Sequence, residues 1–256
     1  MRQYNTLSIV IAAFNDEDVI KDALESASWA NEIIVVIAKE SSDSTLKIAK
    51  SYTDKIFFSK NHLGIQRKLG ISNAHGEWIL VLDTDERVSQ ALQHEIKEAL
   101  QGSKFNGYYA PFGNYFLGHK VKWGNQDYEK RRLFRKDKGK IENLKIHPEI
   151  IIEEPVSHLK GKILHYSFRS ISQTLKKFTY YAWVEAPLLF AKSERIHLKK
   201  LTLYPLHMFW SIFVEDQGWR DGIWGLGLAL CFTYYEFARY WFLFLYGQKH
   251  SQVVRN

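Results

Sequence analysis

The apolar positions in the first part of the chain form short continuous runs separated by stretches with helical spacing. Leu7–Ala13 is an unbroken apolar run, which predicts a strand buried on both faces. Asn15 and Asp16 follow it, and because both residue types cap helices, we expect a helix to begin there. The apolar residues of this helix are Val19, Ile20, Ala23, Leu24 and Ala27.

Three further apolar runs continue the alternation, at Glu32–Ile37, Lys55–Phe58 and Glu77–Leu82. One helical pattern follows a cap at Ser42 or Asp43, and another covers Leu63–Asn73. Strands that alternate with helices in this way predict an α/β fold whose sheet is mostly parallel, with right-handed crossovers.

Ligands bind such sheets outside the carboxyl ends of the strands. The loops at this edge are predicted to be residues 14–18, 38–45 and 83–87. We therefore expect a nucleotide-binding type of site to be assembled from these three loops.

The third of these loops carries a pair of carboxylates, Asp83 and Asp85, in a DxD pattern. Two hard oxygen ligands on one turn suit a divalent cation that is held jointly by the protein and a diphosphate. The acids of this loop repel one another unless a cation or Arg87 neutralises them. A second DxD pair, Asp16 and Asp18, is expected to serve a helix N-terminus, where carboxylates are favoured.

The aromatic residues divide the chain unevenly. Of 38 aromatic residues, 20 lie between Phe178 and Tyr246. We place a boundary near residues 170–176, which predicts an α/β domain at 1–175 and a helical region at 176–256.

Two runs of 14 residues without a formal charge lie in this C-terminal region, at residues 201–214 and Gly222–Tyr235. A membrane-spanning helix needs about 20 apolar residues, and Glu236 with Arg239 interrupts an extension of the second run. Because Trp and Tyr favour the lipid interface, we predict helices that lie in one leaflet. Basic residues that can meet anionic head groups are Lys192, Arg195, Lys199 and Lys200. The alternative is that the aromatic side chains pack on the catalytic core or on a second subunit.

Composition sets limits on the class of protein. The chain has 256 residues, 46% of them hydrophobic, with 35 basic and 28 acidic side chains and a formal charge of +7. The single cysteine, Cys231, excludes an intramolecular disulfide framework and a zinc site built on cysteine pairs. The apolar run of the N-terminal segment is too short for a signal peptide, so export is not expected. The basic excess suits nucleic acid, acidic lipid or a phosphorylated substrate.

Eight segments in order along the chain carry a family resemblance, and they are LSIVIAAFNDEDVIKDALESA, SSDST, HGEWILVLDTDERV, NYFLG, RRLFRK, IHPE, LHYSF and GWRDG. Together they resemble the nucleotide-sugar-dependent glycosyltransferase family 2. Within it, the chain is most similar to the branch of β-glucosyltransferases that build lipopolysaccharide or lipooligosaccharide core. The resemblance implies the GT-A fold, which is Rossmann-like with a mostly parallel central sheet flanked by helices, here followed by the aromatic-rich helical region.

The resemblance also implies roles for particular residues. Those expected to bind the nucleotide-sugar are Ala13, Phe14, Asn15, Asp43, Arg67, Lys68, Asp83, Thr84 and Arg132. Asp83 and Asp85 are expected to hold Mg²⁺ or Mn²⁺, and His147 is a further candidate ligand whose alternative role is structural. Arg132 belongs to a basic run whose ordinary role is a solvated face, but its charge also suits a diphosphate.

One departure from the family pattern affects the donor nucleotide. The family usually has an acid directly after its second strand, where this chain has Ile37, Ala38 and Lys39. Glu40 is the nearest substitute. Uridine, guanosine and thymidine donors therefore all stay open.

An inverting transfer needs a general base that takes the proton of the acceptor hydroxyl. The resemblance indicates Asp127 for this role, with Glu129 as the second candidate. The alternative for both is that they balance the neighbouring basic residues.

We therefore expect an inverting, metal-dependent glycosyltransferase. It moves a hexose, glucose by preference, from a nucleotide diphosphate sugar to a lipid-linked saccharide such as lipopolysaccharide core. Its expected location is cytoplasmic, peripheral on the inner face of the cell membrane, with no nucleic-acid partner. The rival activities are sugar transfer to a polyprenyl phosphate and, in another class, a basic membrane- or nucleic-acid-binding module without catalysis.

Overall fold

The computed structural model describes residues 5–142, 148–192 and 198–253. The chain forms two compact units. The first contains the residues up to Gly113 together with Tyr128–His165, and the second contains Asn114–Asp127 together with the residues from Tyr166 onward. The predicted domains at 1–175 and 176–256 stay a prediction. The contact-defined units differ from them because residues 114–127 belong to the second unit.

The first unit alternates strands and helices in the predicted order. Its elements are β1 (Leu7–Ala13), α1 (Ile20–Ala27), β2 (Glu32–Ala38), α2 (Thr45–Ala49), β3 (Ile56–Ser59), α3 (Leu63–Asn73), β4 (Trp78–Asp83), β5 (Glu86–Val88) and α4 (Gln90–Ala99). These are followed by β6 (Gly107–Phe116), β7 (His119–Val121), β8 (Glu129–Arg135), β9 (Gly139–Ile141), β10 (Ile150–Ile152), β11 (Val156–His158) and β12 (Ile163–Phe168). Strands β6 and β12 begin in the first unit and end in the second, and β7 lies in the second unit.

The main sheet has the strand order β3-β2-β1-β4-β8-β6-β12-β5, with β7 and β11 also paired to β6. Strands β3, β2, β1 and β4 are parallel, as the alternation of elements predicted. Strand β8 then pairs antiparallel with both β4 and β6. The antiparallel pairing brings the residues of β8 beside β4, the strand that ends in the predicted DxD loop.

Both faces of the parallel strands are buried, which explains their unbroken apolar sequence. Ile9 and Ile11 of β1 contribute to one hydrophobic core, and Val10 between them contributes to the other. Helix α3 packs closely on the second face, because a Cβ atom on Gly70 would lie 2.4 Å from Cγ1 of Val10. The carboxyl end of β1 is thus held rigidly by the core beneath it.

The predicted helix caps after β1 and β2 are wrong. Helix α1 begins at Ile20 with Val19 as its N-cap, and no side chain caps it. Asn15 adopts a left-handed backbone conformation with φ 53°, and Asp16 lies in the turn before the helix. Ser44 is the N-cap of α2, which has only five residues. These polar residues stay in the loops at the sheet edge.

The second unit is largely helical. It contains α5 (Ile171–Ala191), α6 (Leu198–Trp210), a π-helical turn (Ser211–Glu215), a 3₁₀ turn (Gly218–Asp221) and α7 (Gly222–Val253). Its core is aromatic, with Phe116, Phe168 and Phe178 packed beside Leu228 and Cys231. The other aromatic side chains of these helices include many that are exposed.

Helix α7 continues through Glu236 and Arg239, the two charges that were predicted to interrupt the apolar run. The two side chains pair with each other, Arg239 Nη1 lying 3.4 Å from Glu236 Oε2. Nearby, the Tyr235 hydroxyl donates to Glu185 of α5 over 2.7 Å. Nonetheless, none of the helices within the described residues combines the length and apolar character that crossing a bilayer requires.

A hydrogen-bonded carboxylate ties three chain segments together at the edge opposite the predicted site. Glu32, at the start of β2, accepts from Lys55, from the Ser8 hydroxyl and, over 2.8 Å, from the His75 backbone N–H. Ser8 in turn accepts from the Gly76 N–H over 2.8 Å. Burial raises the pKa of Glu32, but the bonds from Lys55, Ser8 and His75 outweigh it and lower this pKa from 4.5 to about 2.

This network predicts a pH-dependent contribution to stability. Because the pKa of Glu32 is lower in the folded state, its contribution is complete above pH 4.5 and is lost as the pH falls towards 2. Glu32→Gln should lower the free energy of unfolding by about 1–3 kcal/mol near pH 7. Urea unfolding of both proteins between pH 7 and pH 2.5 should show this difference shrinking as the pH falls.

The matched control is Glu77→Gln, at an exposed carboxylate on the loop that precedes β4. It should change stability little at any pH. A Glu32→Gln deficit that stays constant down to pH 2.5 would contradict the assignment.

Candidate active site

The loops that follow β1 and β2 are joined by hydrogen bonds. The Asn15 N–H donates to the Ser41 hydroxyl over 3.0 Å, and the Asn15 side-chain oxygen accepts from the Ser42 N–H over 2.9 Å. Asn15 reaches both because its positive φ turns the chain back towards β2. This residue, expected to bind the donor, thus shapes the edge through its local contacts.

Asp43 has the same kind of role in the second loop. Its carboxylate accepts from the backbone N–H groups of Glu17 and Thr45, each over 3.0 Å. Burial raises the pKa of Asp43, but the bonds from Thr45 and Glu17 outweigh it, so that its pKa is lowered. Asp43 is therefore ionised and fixed at this edge, and its contact with a nucleotide stays a prediction.

Asp16 is a site residue that the sequence analysis missed, having assigned it to a helix cap. Its carboxylate accepts from the Phe14 N–H over 2.9 Å and from the Thr84 side chain. Burial raises the pKa of Asp16 to about 6, the two hydrogen bonds oppose this, and the charges of Asp85 and Asp43 add to it. Its signal in the sequence was its place in the loop 14–18 after the first buried strand.

A buried glutamine holds the end of β1 from the other face. Gln66 of α3 is 3% exposed, and its amide nitrogen donates to the carbonyls of Ala13 over 3.0 Å and Val36 over 3.1 Å. Because both carbonyls are main-chain groups of parallel strands, this amide fixes the two strand ends relative to each other. Gln66 was noted in the sequence only as the neighbour of Arg67.

The centre of the site is a cluster of two arginines and two carboxylates. Asp83, at the end of β4, pairs through one oxygen with Arg67 of α3 and through the other, over 3.2 Å, with Arg132 of β8. Arg132 also pairs with Glu86 over 2.5 Å, and the Asp83 N–H donates to Glu86 over 2.9 Å. Arg132 and Glu86 are only 4% and 1% exposed. We call these four residues the acid–arginine cluster.

The pKa values of the two carboxylates in this cluster are shifted in opposite directions. Burial raises the pKa of Asp83, but Arg67 and Arg132 outweigh it, so that its pKa is lowered. Burial raises the pKa of Glu86 to about 7, although Arg132 opposes the increase. Arg87, which was one of the two alternatives for neutralising these acids, pairs with Asp22.

Asp85 lies beside a histidine that the sequence analysis placed only within a family segment. Nε2 of His165, on β12, lies 3.6 Å from Oδ2 of Asp85. The pairing of β12 with β5, which sets His165 opposite Glu86, brings it there. An imidazole nitrogen and a carboxylate at this separation are a donor set that suits a divalent transition-metal ion such as Mn²⁺.

The fit of a metal ion differs between the two aspartates of the DxD pair. Both oxygens of Asp83 already meet guanidinium groups, whereas Asp85 and His165 remain 21% and 17% exposed. Across the described part of the chain, no group of three or more His, Cys, Asp or Glu side chains is arranged to hold a metal ion. A cation at Asp85 would therefore take further ligands from a bound diphosphate or water. His147, the third predicted ligand, lies outside the described residues.

The basic run on β8 divides between the two faces of the strand. Lys130 joins Arg132 on the Phe112 side, its ammonium group lying 5.8 Å from the Phe112 ring centroid. Burial lowers the pKa of Lys130, and the Arg132 charge adds to this. Arg131 lies instead over the Tyr109 ring, 5.1 Å from its centroid. Lys130 and Arg132 therefore share the face of β8 that meets the Phe112 ring, whereas Arg131 lies on the other face.

The two candidate bases have different surroundings. Glu129 pairs with His158 over 2.7 Å, and His158 stacks on Tyr109, which is the Arg131 side of β8. Asp127 is exposed and belongs to the second unit. Both assignments stay predictions.

The remaining predicted donor-binding residues have mixed exposure. Ala13 and Thr84 are buried, whereas Phe14 and Lys68 are exposed. Arg67 is buried and also donates to the Pro148 carbonyl over 3.4 Å. Nε of Arg67 and Nε of Arg132 are buried without a hydrogen-bond partner.

Comparisons with known proteins point in one direction. A sequence model of the family described as Glycosyl transferase family 2 matches residues 8–152. The lipopolysaccharide core biosynthesis glycosyltransferase LpsC of Rhizobium meliloti is 25% identical over 242 residues, which cover 90% of this chain and 89% of that protein. An uncharacterized glycosyltransferase of Rickettsia typhi is 24% identical over 248 residues, covering 91% and 85%. The crystal structure of S. aureus TarS 1–349 in complex with UDP has a TM-score of 0.48 at 13% identity, covering 95% of this chain and 92% of that one.

The acid–arginine cluster predicts an asymmetric response to substitution. Arg132→Met leaves Glu86 buried without its cation, so we expect a loss of about 3–5 kcal/mol of unfolding free energy. Adding Glu86→Gln should restore part of it, because the amide carries no charge. Urea unfolding near pH 7.5 measures both variants.

Arg131→Met is the matched control, since this side chain lies on the opposite side of the same strand. It should cost clearly less than Arg132→Met. Equal losses for the two single variants, or no recovery in the double variant, would show that Glu86 is not dependent on Arg132.

Proposed function

The chain belongs to glycosyltransferase family 2, and from that premise we propose that it transfers a hexose, glucose by preference, from a nucleotide diphosphate sugar to a lipid-linked saccharide, with inversion at the anomeric carbon. The observation that carries the proposal is the acid–arginine cluster with Asp85 and His165 beside it. The name of the Rhizobium meliloti relative supports lipopolysaccharide core as the acceptor class.

The donor diphosphate is proposed to lie at the carboxyl ends of β1, β2 and β4. In the loop after β4, Asp83 and Glu86 pair with Arg67 and Arg132, and Asp85 lies beside His165. A divalent cation is the group that lets such an edge accept a diphosphate. Asp85 and His165 are the proposed protein ligands of Mg²⁺ or Mn²⁺, with Asp83 oriented by the two arginines.

The metal ion, when bound, stabilises the negative charge on the departing nucleoside diphosphate. Lys130 is a second source of positive charge on the same side of β8. The other donor contacts proposed from the family pattern are those of Phe14, Asn15, Asp43 and Lys68. The sequence leaves the donor nucleotide open.

Asp127 is proposed as the general base. In the transfer, its carboxylate takes the proton of the acceptor hydroxyl as that oxygen bonds to the anomeric carbon, and the bond from this carbon to the diphosphate breaks. Glu129, whose carboxylate lies 2.7 Å from Nδ1 of His158, is the second candidate.

We further propose that the second unit contacts a membrane surface at the inner face of the cell membrane. Large apolar side chains on its helices are exposed, and they include Tyr180, Trp183, Leu188, Phe190, Leu203, Tyr204, Leu206, Trp210, Ile223, Leu230 and Trp241. Lys192 and Lys199 are exposed at helix ends of the same unit. Exposed aromatic and basic residues together suit an anionic lipid interface.

The catalytic proposal is tested with core-truncated lipopolysaccharide as acceptor and the UDP, GDP and dTDP derivatives of glucose as donors. We expect one donor to be used in the presence of Mn²⁺, with EDTA abolishing transfer. Asp85→Asn should lower transfer at least ~100-fold, since removal of a metal ligand removes leaving-group stabilisation. Asp137→Asn, at an exposed aspartate on the β8–β9 turn, is the control.

The product distinguishes the alternatives. A β-linked sugar that resists mild acid supports the proposal, whereas an acid-labile phosphosugar indicates transfer to a polyprenyl phosphate. Wild-type activity in Asp85→Asn would remove the metal assignment. Absence of nucleotide-sugar turnover with every donor, together with binding that weakens steeply with salt, would favour a non-catalytic basic module.

The membrane proposal is tested by sedimentation with vesicles. Binding to vesicles that contain phosphatidylglycerol should exceed binding to phosphatidylcholine vesicles, and Trp183→Asp with Leu206→Asp should reduce it at least ~10-fold. The control is Phe58→Asp, which places the same charge at an exposed aromatic position of the first unit. Unchanged binding by the double variant would rule out membrane contact through Trp183 and Leu206.

A further inference from the structure

The loop that carries Asp127 is held by an aspartate from the GWRDG segment. Oδ2 of Asp221 accepts from the backbone N–H of Lys122 over 2.9 Å and from that of Trp123 over 2.8 Å. Two consecutive N–H groups that share one carboxylate oxygen fix the direction in which the chain leaves β7. The sequence analysis gave this segment no function.

The next residues of the loop are fixed by further bonds within the same unit. The Gly124 N–H donates to the Asp216 carbonyl over 2.8 Å. Gly124 and Asn125 both adopt positive φ angles, 69° and 62°. A Cβ atom on Gly124 would lie 3.0 Å from Cγ2 of Ile212, so the loop lies close against the π-helical turn.

The residue directly before Asp127 is also immobilised. Gln126 is 6% exposed, its amide nitrogen donates to the Gly124 carbonyl over 3.1 Å, and its carbonyl accepts from the Asn114 side chain over 2.7 Å. At the start of the loop, the Arg220 guanidinium lies 3.9 Å from the Trp123 ring centroid. Asp127 is thus an exposed carboxylate at the end of a loop whose preceding residues are restrained.

We propose that Asp221 is a positioning residue for sugar transfer, which acts by fixing the loop 122–127 and thereby the carboxylate of Asp127. The inference rests on the proposed role of Asp127 as base. Asp221 itself touches no reacting group. A base must lie within hydrogen-bonding reach of the proton that it removes, so a loosened loop slows the chemical step without weakening the donor site.

The two hydrogen bonds to Asp221 define a matched pair of variants. Both bonds go to one oxygen of Asp221, so the side-chain carbonyl of Asp221→Asn can accept them, whereas Asp221→Ala accepts neither. Asp216→Ala is the control, because only the backbone carbonyl of this exposed residue holds the loop. Gly124→Ala disturbs the same loop without changing Asp221.

The first measurement is amide hydrogen exchange of residues 122–126, which needs no substrate. We expect faster exchange in Asp221→Ala and wild-type exchange in Asp221→Asn and Asp216→Ala. Unchanged exchange in Asp221→Ala would overturn the inference. If Asp221→Ala does not fold, Gly124→Ala takes its place, with faster exchange expected and unchanged exchange counting against the inference.

The second measurement is the rate of sugar transfer to core-truncated lipopolysaccharide, with the donor that the assay proposed above identifies. We expect kcat to fall about 10- to 100-fold in Asp221→Ala, with the Kd for the nucleoside diphosphate within twofold of wild type. In an Asp127→Asn background, Asp221→Ala should cause little further loss, because the two residues act as one unit. Additive losses would show that Asp221 acts otherwise than through Asp127.

Failure of the inference differs from failure of the proposed function. Full activity in Asp127→Asn would overturn the proposed base and with it this role of Asp221. An inactive Asp127→Asn beside a fully active Asp221→Ala would overturn the inference alone. If the wild-type protein turns over no nucleotide-sugar but the exchange result is as expected, the proposed function is overturned. The restraint of the loop by Asp221 is then still supported.

Discussion

The structure of the donor edge depends on neutralising carboxylates at the end of one buried strand. Strand β4 ends in Asp83, and Glu86 lies three residues further on with almost no exposure. A buried carboxylate without a cation is strongly unfavourable, so the fold must bring positive charge to this point. Arg67 from α3 and Arg132 from β8 do so. The helix that crosses the sheet and the antiparallel strand beside β4 are therefore required by the same electrostatic constraint.

The acids of this loop have different partners. Asp83 and Glu86 pair with the guanidinium groups of Arg67 and Arg132, while Asp85 lies 3.6 Å from the His165 imidazole. Asp16, whose pKa is raised to about 6, is a further acid, and its carboxylate and that of Asp85 repel each other. In the proposed function, a divalent cation bound at Asp85 and the two arginines would together offset the negative charge that a diphosphate brings to this edge.

The sequence allowed the fold class and the family to be predicted, and both are confirmed. Continuous apolar runs are a strong signal because parallel strands are buried on both faces, and β1 and α3 were predicted with their observed limits. Partners distant in the chain carry no such signal. Arg132 lies 49 residues from Asp83, so its pairing depends on the antiparallel register of β8, which local patterns do not contain. Neither arginine of the cluster is adjacent in sequence to the acids, so local patterns single out neither of them.

Aromatic composition alone also failed to separate two roles within the second unit. Phe116, Phe168 and Phe178 form its core, whereas Trp183 and Trp241 are exposed. The same unit supplies the aspartate that holds the loop 122–127, about a hundred residues earlier in the chain. A region that served only as an anchor would tolerate any arrangement of its turn at residues 218–221. Because that turn supplies the acceptor for two backbone N–H groups, the helical region helps to determine the local structure of the loop that carries Asp127.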